Sequence, residues 1–522
     1  MATPRRLSGT SFIGTLVACA LALGGMTGCS QAVMREHSVS LDSEAARATW
    51  LGRQAAQRLA EHGEGARDGF SLLANGQEAF AVRAGLIHQT ERELDIQTYL
   101  LGDGQTTRLI LARLLSAAEK GVRVRLLIDD MGAIGQGDRL AALATHPNVE
   151  VRVYNAMPLG RSHLWTRVLA AFGDPVRQHR RMHNKLWIAD NSVAIVGGRN
   201  LGDEYFDADD TRNFTDLDLV AIGPVVNELS HGFDLYWNHG LAQPIARYHP
   251  AEDDAWRLLK ASLEAWLEAN ADAEYFVRLR RQPRIAPPWE RLHWGEGTAL
   301  WDAPGKPGWS HTPEWQETLL GDLRAATDPS ERLVVISAYF VPTEWGVERL
   351  TALADRGVDI DIITNSLAST DAAVVHGAYA PWRERLLAHG IDLFELRPEQ
   401  EDDAGQALRV PGRSASALHI KALGFDDDKL FVGSFNADPR SVLWNSEVGV
   451  LAESASLVAE FEELVRIGQS PAISYQVRQS EAGLEWHYRH NGEYRVLTEE
   501  PGSTWRQLNA WFSHVARLER WL

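Results

Sequence analysis

The sequence predicts an α/β fold of two similar lobes, the product of an internal duplication. Three observations carry that expectation. The stretch RRMHNKLWIADNSVAIVGGRNLGDEYF places His183, Lys185, Asp190, Gly197, Gly198 and Asn200 around two apolar runs, and ALHIKALGFDDDKLFVGSFN repeats the pattern 236 positions later with His419, Lys421, Asp426, Gly433, Ser434 and Asn436. Upstream of each copy, apolar runs of strand length alternate with segments of helical period, the pattern of a largely parallel sheet covered by helices. With 522 residues, 45% of them hydrophobic, the chain is long enough for more than one core.

Residues 1–28 carry Arg5 and Arg6, the apolar run Phe12–Leu23 and then small residues, which predicts an export signal rather than a spanning helix. Met26-Thr27-Gly28-Cys29 resembles a bacterial lipobox, implying that Cys29 is lipidated and becomes the mature N-terminus; a plain cleaved signal, or an uncleaved anchor with an incidental Cys29, is the alternative. The implied location is the cell envelope, lipid-anchored and facing the periplasm, and Ser30 is similar to lipoproteins sorted to the outer membrane. The two cysteines, Cys19 and Cys29, both lie here, so the rest has no disulfide framework.

Residues 29–68 read as a linker with a helix over Ser43–Glu61, where Ala46, Trp50, Leu51, Ala55 and Leu59 recur near helical spacing. The first lobe, 69–275, begins with Phe70–Leu73, a helix over Ala79–Thr90, strand Leu94–Tyr99, a helix over Leu109–Lys120 and strand Val122–Ile128. An insertion at Asn155–Arg181 follows, with Arg161, Trp165, Arg167, Phe172, Arg180 and Arg181 suited to an anionic lipid headgroup and its chains, or simply a solvated basic loop. Asp254–Ala269 is an amphipathic helix, and 276–310 reads as an irregular linker because Pro287, Pro288, Pro304 and Pro307 discourage regular structure. The second lobe, 311–470, repeats the order with Leu333–Tyr339, a helix over Val347–Arg356 and strand Gly357–Ile363. In 471–522, alternating Ile473, Tyr475, Val477, Leu484, Trp486 and Tyr488 predict antiparallel strands turning at Asn491-Gly492. Thr504 and Gln507 offer a capping box, and Leu508, Trp511, Phe512 and Val515 share the face of a helix that docks on the lobes or lies in a membrane interface.

The chemistry centres on the repeated motif. Residues two apart on a strand share a face, so each His–Lys pair sets an imidazole beside an ammonium suited to a phosphate oxygen. Of 52 basic residues only six are lysines, and two of the six sit in these pairs. Random placement gives roughly 0.2 His-x-Lys pairs in a chain of this composition.

The double H-x-K-x4-D pattern resembles the phospholipase D superfamily, and the resemblance implies two phospholipase D-type lobes related by a pseudo-twofold, meeting face to face and pooling their histidines into a single shared active site. RRMHNK and the run Asn365–Asp371 through His376, Tyr379 and Arg397-Pro398 are similar to the C-type bacterial cardiolipin synthases. The resemblance implies that one histidine attacks phosphorus to give a phosphohistidine while the other serves as acid and then base, with no metal or cofactor. By family habit His183 is the nucleophile and His419 the acid. Lys185, Lys421, Asn200, Ser434 and Asn436 would hold the non-bridging oxygens. Each copy offers its imidazole an orienting carboxylate: Asp216 in the first, after an insertion of five residues, and Glu447 in the second. Asp190 and Asp426 complete the motif and brace its turn rather than touch substrate. The implied partners are phospholipids and a membrane surface.

A formal charge of −18 ill suits a chain that tracks a polyanionic backbone, so nucleic acid is not an expected partner. Phosphatidyl transfer between lipids is the leading expectation. Hydrolysis to phosphatidic acid and a periplasmic nuclease are the alternatives.

Overall fold

The structure is a computed structural model that describes residues 36–63, 67–157, 179–281, 288–399 and 415–515. The export signal, the lipobox and Cys29, residues 158–178 of the insertion, and 516–522 lie outside the described residues.

Each lobe is built on one sheet, and the two sheets follow the same strand order. In the first lobe that order is Asp68–Leu73, Asp218–Ile222, Val193–Gly197, Leu186–Ala189, Glu93–Leu100, Arg123–Gly132, Val149–Tyr154 and Ala242–Pro244. In the second it is His293–Trp301, Val448–Glu453, Lys429–Gly433, Lys421–Phe425, Arg332–Ser337, Asp359–Asn365, Asp392–Leu396 and Ser474–Ser480. The expectation of a largely parallel sheet needs correction. Only the three strands linked by crossover helices run parallel; the motif strands form a tight hairpin, which makes their pairings antiparallel.

Two other expectations change. The stretch read as an irregular linker begins within helix Glu274–Arg281 and contains strand His293–Trp301, which opens the second sheet and pairs with Asp68–Phe70 of the first. Pro288 precedes that strand and Pro304 and Pro307 follow it, so these prolines bound the element rather than prevent it. The N-terminal helix is two helices, Ser43–Arg47 and Trp50–His62, because Thr49 caps the second. In the tail, strand Ser474–Ser480 joins the second sheet and pairs on its other side with Gly483–His490, and the predicted hairpin from that strand to Glu493–Leu497 turns at Asn491 and Gly492 with φ of 52° and 79°. The last helix, Thr504–Val515, is capped by Ser503 instead of Thr504, the Ser503 hydroxyl accepting from the Arg506 N–H at 3.4 Å.

Alternation along the strands assigns the cores. Trp187, Ala189 and Ile195 face a core belonging to the first lobe, whereas Leu186, Ile188 and Val196 face one that both lobes share. To that shared core the second lobe brings Ile336, Val432, Val450 and Phe461. The motif strands are thereby buried on both faces, and the residues just before them emerge where the lobes meet.

Asp190 and Asp426 hold the motif hairpins in place. Both stand in left-handed turns, with φ of 51° each. The Asp190 carboxylate accepts the N–H groups of Glu91, Arg92 and Glu93 at 2.8–2.9 Å, and Asp426 accepts those of Ser330, Glu331 and Arg332. Burial pushes Asp190 up to about 6 against its backbone donors, whereas at more exposed Asp426 the donors outweigh burial and lower the pKa. Replacing Asp190 by Ala, which strands three N–H groups, that of Glu93 buried and those of Glu91 and Arg92 part-buried, should cost about 2–4 kcal/mol in denaturant unfolding, and Asp426→Ala about half as much. Because Asp190 binds its proton more tightly when folded, its contribution is full below pH 3.8 and lost as pH rises through about 6. The stability of wild type relative to Asp190→Asn should therefore fall across that window.

Candidate active site

The histidine segments meet across the lobe boundary. The His183 N–H donates to Ser446 O at 2.9 Å, and the His419 N–H to Thr215 O at 2.7 Å, so each histidine's backbone is tied to the opposite lobe. Strand Ala415–Leu418 pairs in parallel with Arg212–Thr215, and Met182 bridges Ser446 in the same sense. From within its own lobe, Asp129 accepts the Met182 N–H at 2.9 Å and Asn365 accepts the Leu418 N–H at 2.8 Å. These segments bring His183 and His419 to one pocket of about 650 Å³, lined also by Tyr99, Asn200, Tyr205, Asn436 and Arg440.

The orienting carboxylates are crossed. His183 Nδ1 lies 2.9 Å from Glu447 of the second lobe, and His419 Nδ1 lies 2.7 Å from Asp216 of the first. The sequence assigns each carboxylate to its own copy. The fold exchanges them because each precedes a strand whose start faces the other lobe's histidine. With Nδ1 committed, Nε2 is the ring nitrogen left for chemistry.

Ser434 has a different task from the one expected. Its hydroxyl donates to Glu447 at 2.5 Å, accepts the Val448 N–H at 3.0 Å and is fully buried, so it braces the carboxylate rather than a phosphate. In the first lobe its place is taken by Gly198, where a Cβ would stand 2.1 Å from Asp216 Oδ1. Asn200 donates to the Tyr205 hydroxyl and accepts the Leu100 N–H. Asn436 Oδ1 and Arg440 Nε are buried pocket-wall atoms with no hydrogen-bond partner among the described residues. Asp190 and Asp426 do not line the pocket.

Lys185 and Lys421 precede or open their strands, and each Nζ donates to the carbonyl of its own motif histidine at 2.6 Å. Burial lowers both lysine pKa values; Glu447 pulls against it at Lys185 and Asp216 at Lys421. Burial and then the two ammonium groups push His183 well below 6.5. His419 is lowered by burial and Lys421, with Asp216 opposing. The carboxylates diverge. Burial raises Glu447 to about 7, whereas at Asp216 the charge and hydrogen bond of His419 outweigh burial and lower it.

Sequence reasoning missed several supporting residues. Arg199 ties Asp216 O to Asp218, and Asp302, paired with buried Lys306 at 2.9 Å, accepts the Glu447 N–H. Lys306 was findable by the scarcity of lysine that drew attention to the motif pairs. Asp129 and Asn365 were findable because they stand 236 positions apart, the same spacing as the histidines. Of the insertion, Arg180 donates to Trp309 O and His311 O, and Arg181 pairs with Asp129 at 3.3 Å, so these two turn inward rather than toward a headgroup. The one described group with metal-ligand spacing, His376, Glu395 and Glu500, is bound by the Arg383 guanidinium and does not line the pocket.

Fold and site define a duplicated enzyme scaffold with two histidine–lysine pairs at one interlobe centre. The profile of the "Cardiolipin synthase, PLD-like domain" family matches residues 84–237 and 321–466. The chain is 37% identical over 464 residues to Cardiolipin synthase C of Escherichia coli, covering 87% of this chain and 96% of that one. It is 24% identical over 397 residues to a cardiolipin synthase of Staphylococcus aureus, covering 75% and 65%. The crystal structure of phosphatidylserine synthase from Haemophilus influenzae superposes with a TM-score of 0.58 over 90% of this chain and 99% of that one at 11% identity, a likeness of fold. The chain belongs to the cardiolipin synthase family of phospholipase D-like enzymes.

The crossed bonds make a specific prediction. Glu447→Gln and Asp216→Asn should each lower kcat by about a hundredfold or more with little change in KM, since each mis-sets the tautomer and orientation of an imidazole. Ser434→Ala should cost roughly tenfold. Steady-state kinetics on a soluble phosphodiester checks both.

Proposed function

We propose that the chain transfers a phosphatidyl group from a donor phospholipid to the free hydroxyl of a second, phosphatidylglycerol, forming cardiolipin. By resemblance to the C-type enzymes, phosphatidylethanolamine is the donor. The observation that carries the proposal is the one pocket holding both imidazoles, each with Nδ1 on a carboxylate and Nε2 without a hydrogen-bond partner among the described residues. His183 Nε2 attacks phosphorus, the bond to the donor alcohol breaks, and His419 gives its proton to the departing oxygen. The acceptor hydroxyl then passes its proton to His419 as its oxygen attacks phosphorus and His183 leaves, restoring the enzyme. Lys185, Lys421, Asn436 and Arg440 are the candidates for the non-bridging oxygens.

Electrostatics supports this order of roles. The imidazole pushed furthest down, His183, is the stronger candidate for the neutral nucleophile, and His419, beside a carboxylate held ionised, is better able to keep a proton. Trp505, Arg506 and Asn509 of the last helix line the pocket, and Trp505, Leu508 and Trp511 are 70%, 52% and 60% exposed, which suits a membrane surface at the mouth. No helix among the described residues is long and apolar enough to cross a membrane. Attachment through lipidated Cys29 completes the proposal.

Purified chain given phosphatidylethanolamine and phosphatidylglycerol in detergent should yield cardiolipin; phosphatidic acid alone would assign hydrolysis instead. His183→Ala should lose turnover by at least about a thousandfold. The reactive form of His183 is the free base and its pKa is depressed, so the acid limb of kcat/KM should lie below pH 6.5, and a limb above that pH would contradict the role. Cys29→Ala should abolish incorporation of labelled fatty acid into the expressed protein.

A further inference from the structure

The two lobes differ in how completely their outer sheet faces are covered. In the first, the helix after the opening strand, Gly76–Gln89, has 14 residues; its counterpart in the second, Leu319–Ala326, has 8. The sheet residues beneath respond. Leu94, Ile96 and Ala189 are 0% exposed, whereas their counterparts Leu333, Val335 and Phe425 are 6%, 5% and 8% exposed. The shorter helix leaves a groove of about 660 Å³ between itself and helix Thr343–Ala354, floored by those side chains. That volume is in the range of pockets that bind small molecules, roughly 300–1,000 Å³.

The rim is cationic and aromatic. Trp315 and Trp345 lie with ring centroids 5.2 Å apart. Arg324 sits over Trp315 at 4.6 Å and Arg349 lies 5.8 Å from the Trp345 ring. Burial and the Arg349 charge lower the Arg324 pKa, with Asp328 opposing, as expected where like charges are gathered. The other charged groups lining the groove are already engaged: Asp328 pairs with Arg356 at 3.4 Å, Glu314 forms a capping box with Glu317, and Asp438, which stands between this groove and the catalytic pocket and lines both, accepts the Ser441 N–H at 2.7 Å. Arg324 and Arg349 make no hydrogen bond or ion pair among the described residues, in a chain whose formal charge is −18.

We propose that this groove is a lipid site separate from the catalytic pocket, which takes an acyl chain of an anionic phospholipid while Arg324 and Arg349 hold its phosphate. An apolar floor with two unpaired guanidinium groups at the rim complements that ligand and repels a cationic one. Tryptophans at the rim suit the boundary between chain and headgroup. The choice of occupant rests on the phospholipid reading of the catalytic site; the groove itself does not.

The test is photolabelling of the full chain in detergent with phosphatidylglycerol bearing a diazirine in one acyl chain, followed by peptide mapping. Label should appear on Leu320–Arg324 and Trp345–Leu353. Arg324→Gln with Arg349→Gln should reduce it roughly tenfold, and Leu350→Trp, which fills the groove, should do so independently. Turnover of a soluble short-chain phosphodiester should be unchanged in both variants, so failure of the groove and failure of the catalytic reading are read separately. Label confined to the catalytic pocket, insensitivity to both variants, equal labelling by a phosphatidylcholine probe, or a segment of this chain cross-linked into the groove would each overturn the proposal.

Discussion

Each imidazole of the pocket is held by a carboxylate from the opposite lobe, and most of what surrounds the pocket follows from that exchange. Neither lobe contains a complete site. The backbone bonds from His183 to Ser446 and from His419 to Thr215 fix the two halves in register, and the shared apolar core presses them together. Two lysines, two carboxylates and two histidines are buried at this seam, where an unpaired charge costs several kcal/mol. The arrangement is tenable because the ions compensate one another and because Asp218, Arg199, Asp302 and Lys306 hold the backbone around them. In the proposed mechanism a phosphodiester adds one negative charge beside two ammonium groups and Arg440.

The duplication is not a perfect copy, and its departures separate the two halves. Asp216 is shorter than Glu447 and reaches its histidine past Gly198, where a side chain would collide. Glu447 is longer and is steadied by Ser434. One carboxylate is held ionised and the other is raised to about 7, so the two imidazoles differ in proton affinity although their motifs are the same. A pseudo-symmetric scaffold thereby offers distinct candidates for nucleophile and acid.

Much of this was legible in the sequence because it is local or periodic. Strand–helix alternation, the Asn491-Gly492 hairpin and the motif hairpins follow from residue patterns within short windows. The motif histidines and lysines stood out by repetition. What escaped was long-range. Which lobe each carboxylate serves depends on how two sheets face each other, and no spacing in the chain encodes that. Strand His293–Trp301 was hidden because its prolines bracket it closely, and its pairing partner Asp68–Phe70 is more than two hundred residues away. Ser434 resembled a phosphate ligand because its hydroxyl lies in the motif, yet a neighbouring carboxylate thirteen residues on claims it.

The proposed mechanism has two crossed imidazoles acting in turn on a single phosphorus, His183 bonded to it and His419 moving protons. It is tested most directly by mixing the enzyme with a donor lipid labelled in its phosphate, quenching rapidly at alkaline pH and mapping the labelled peptide by mass spectrometry. The account predicts one phosphohistidine per chain, on the peptide that carries His183, which disappears when acceptor lipid is added before the quench. Label on His419 would reverse the roles, and label on neither histidine under conditions of turnover would contradict the covalent mechanism.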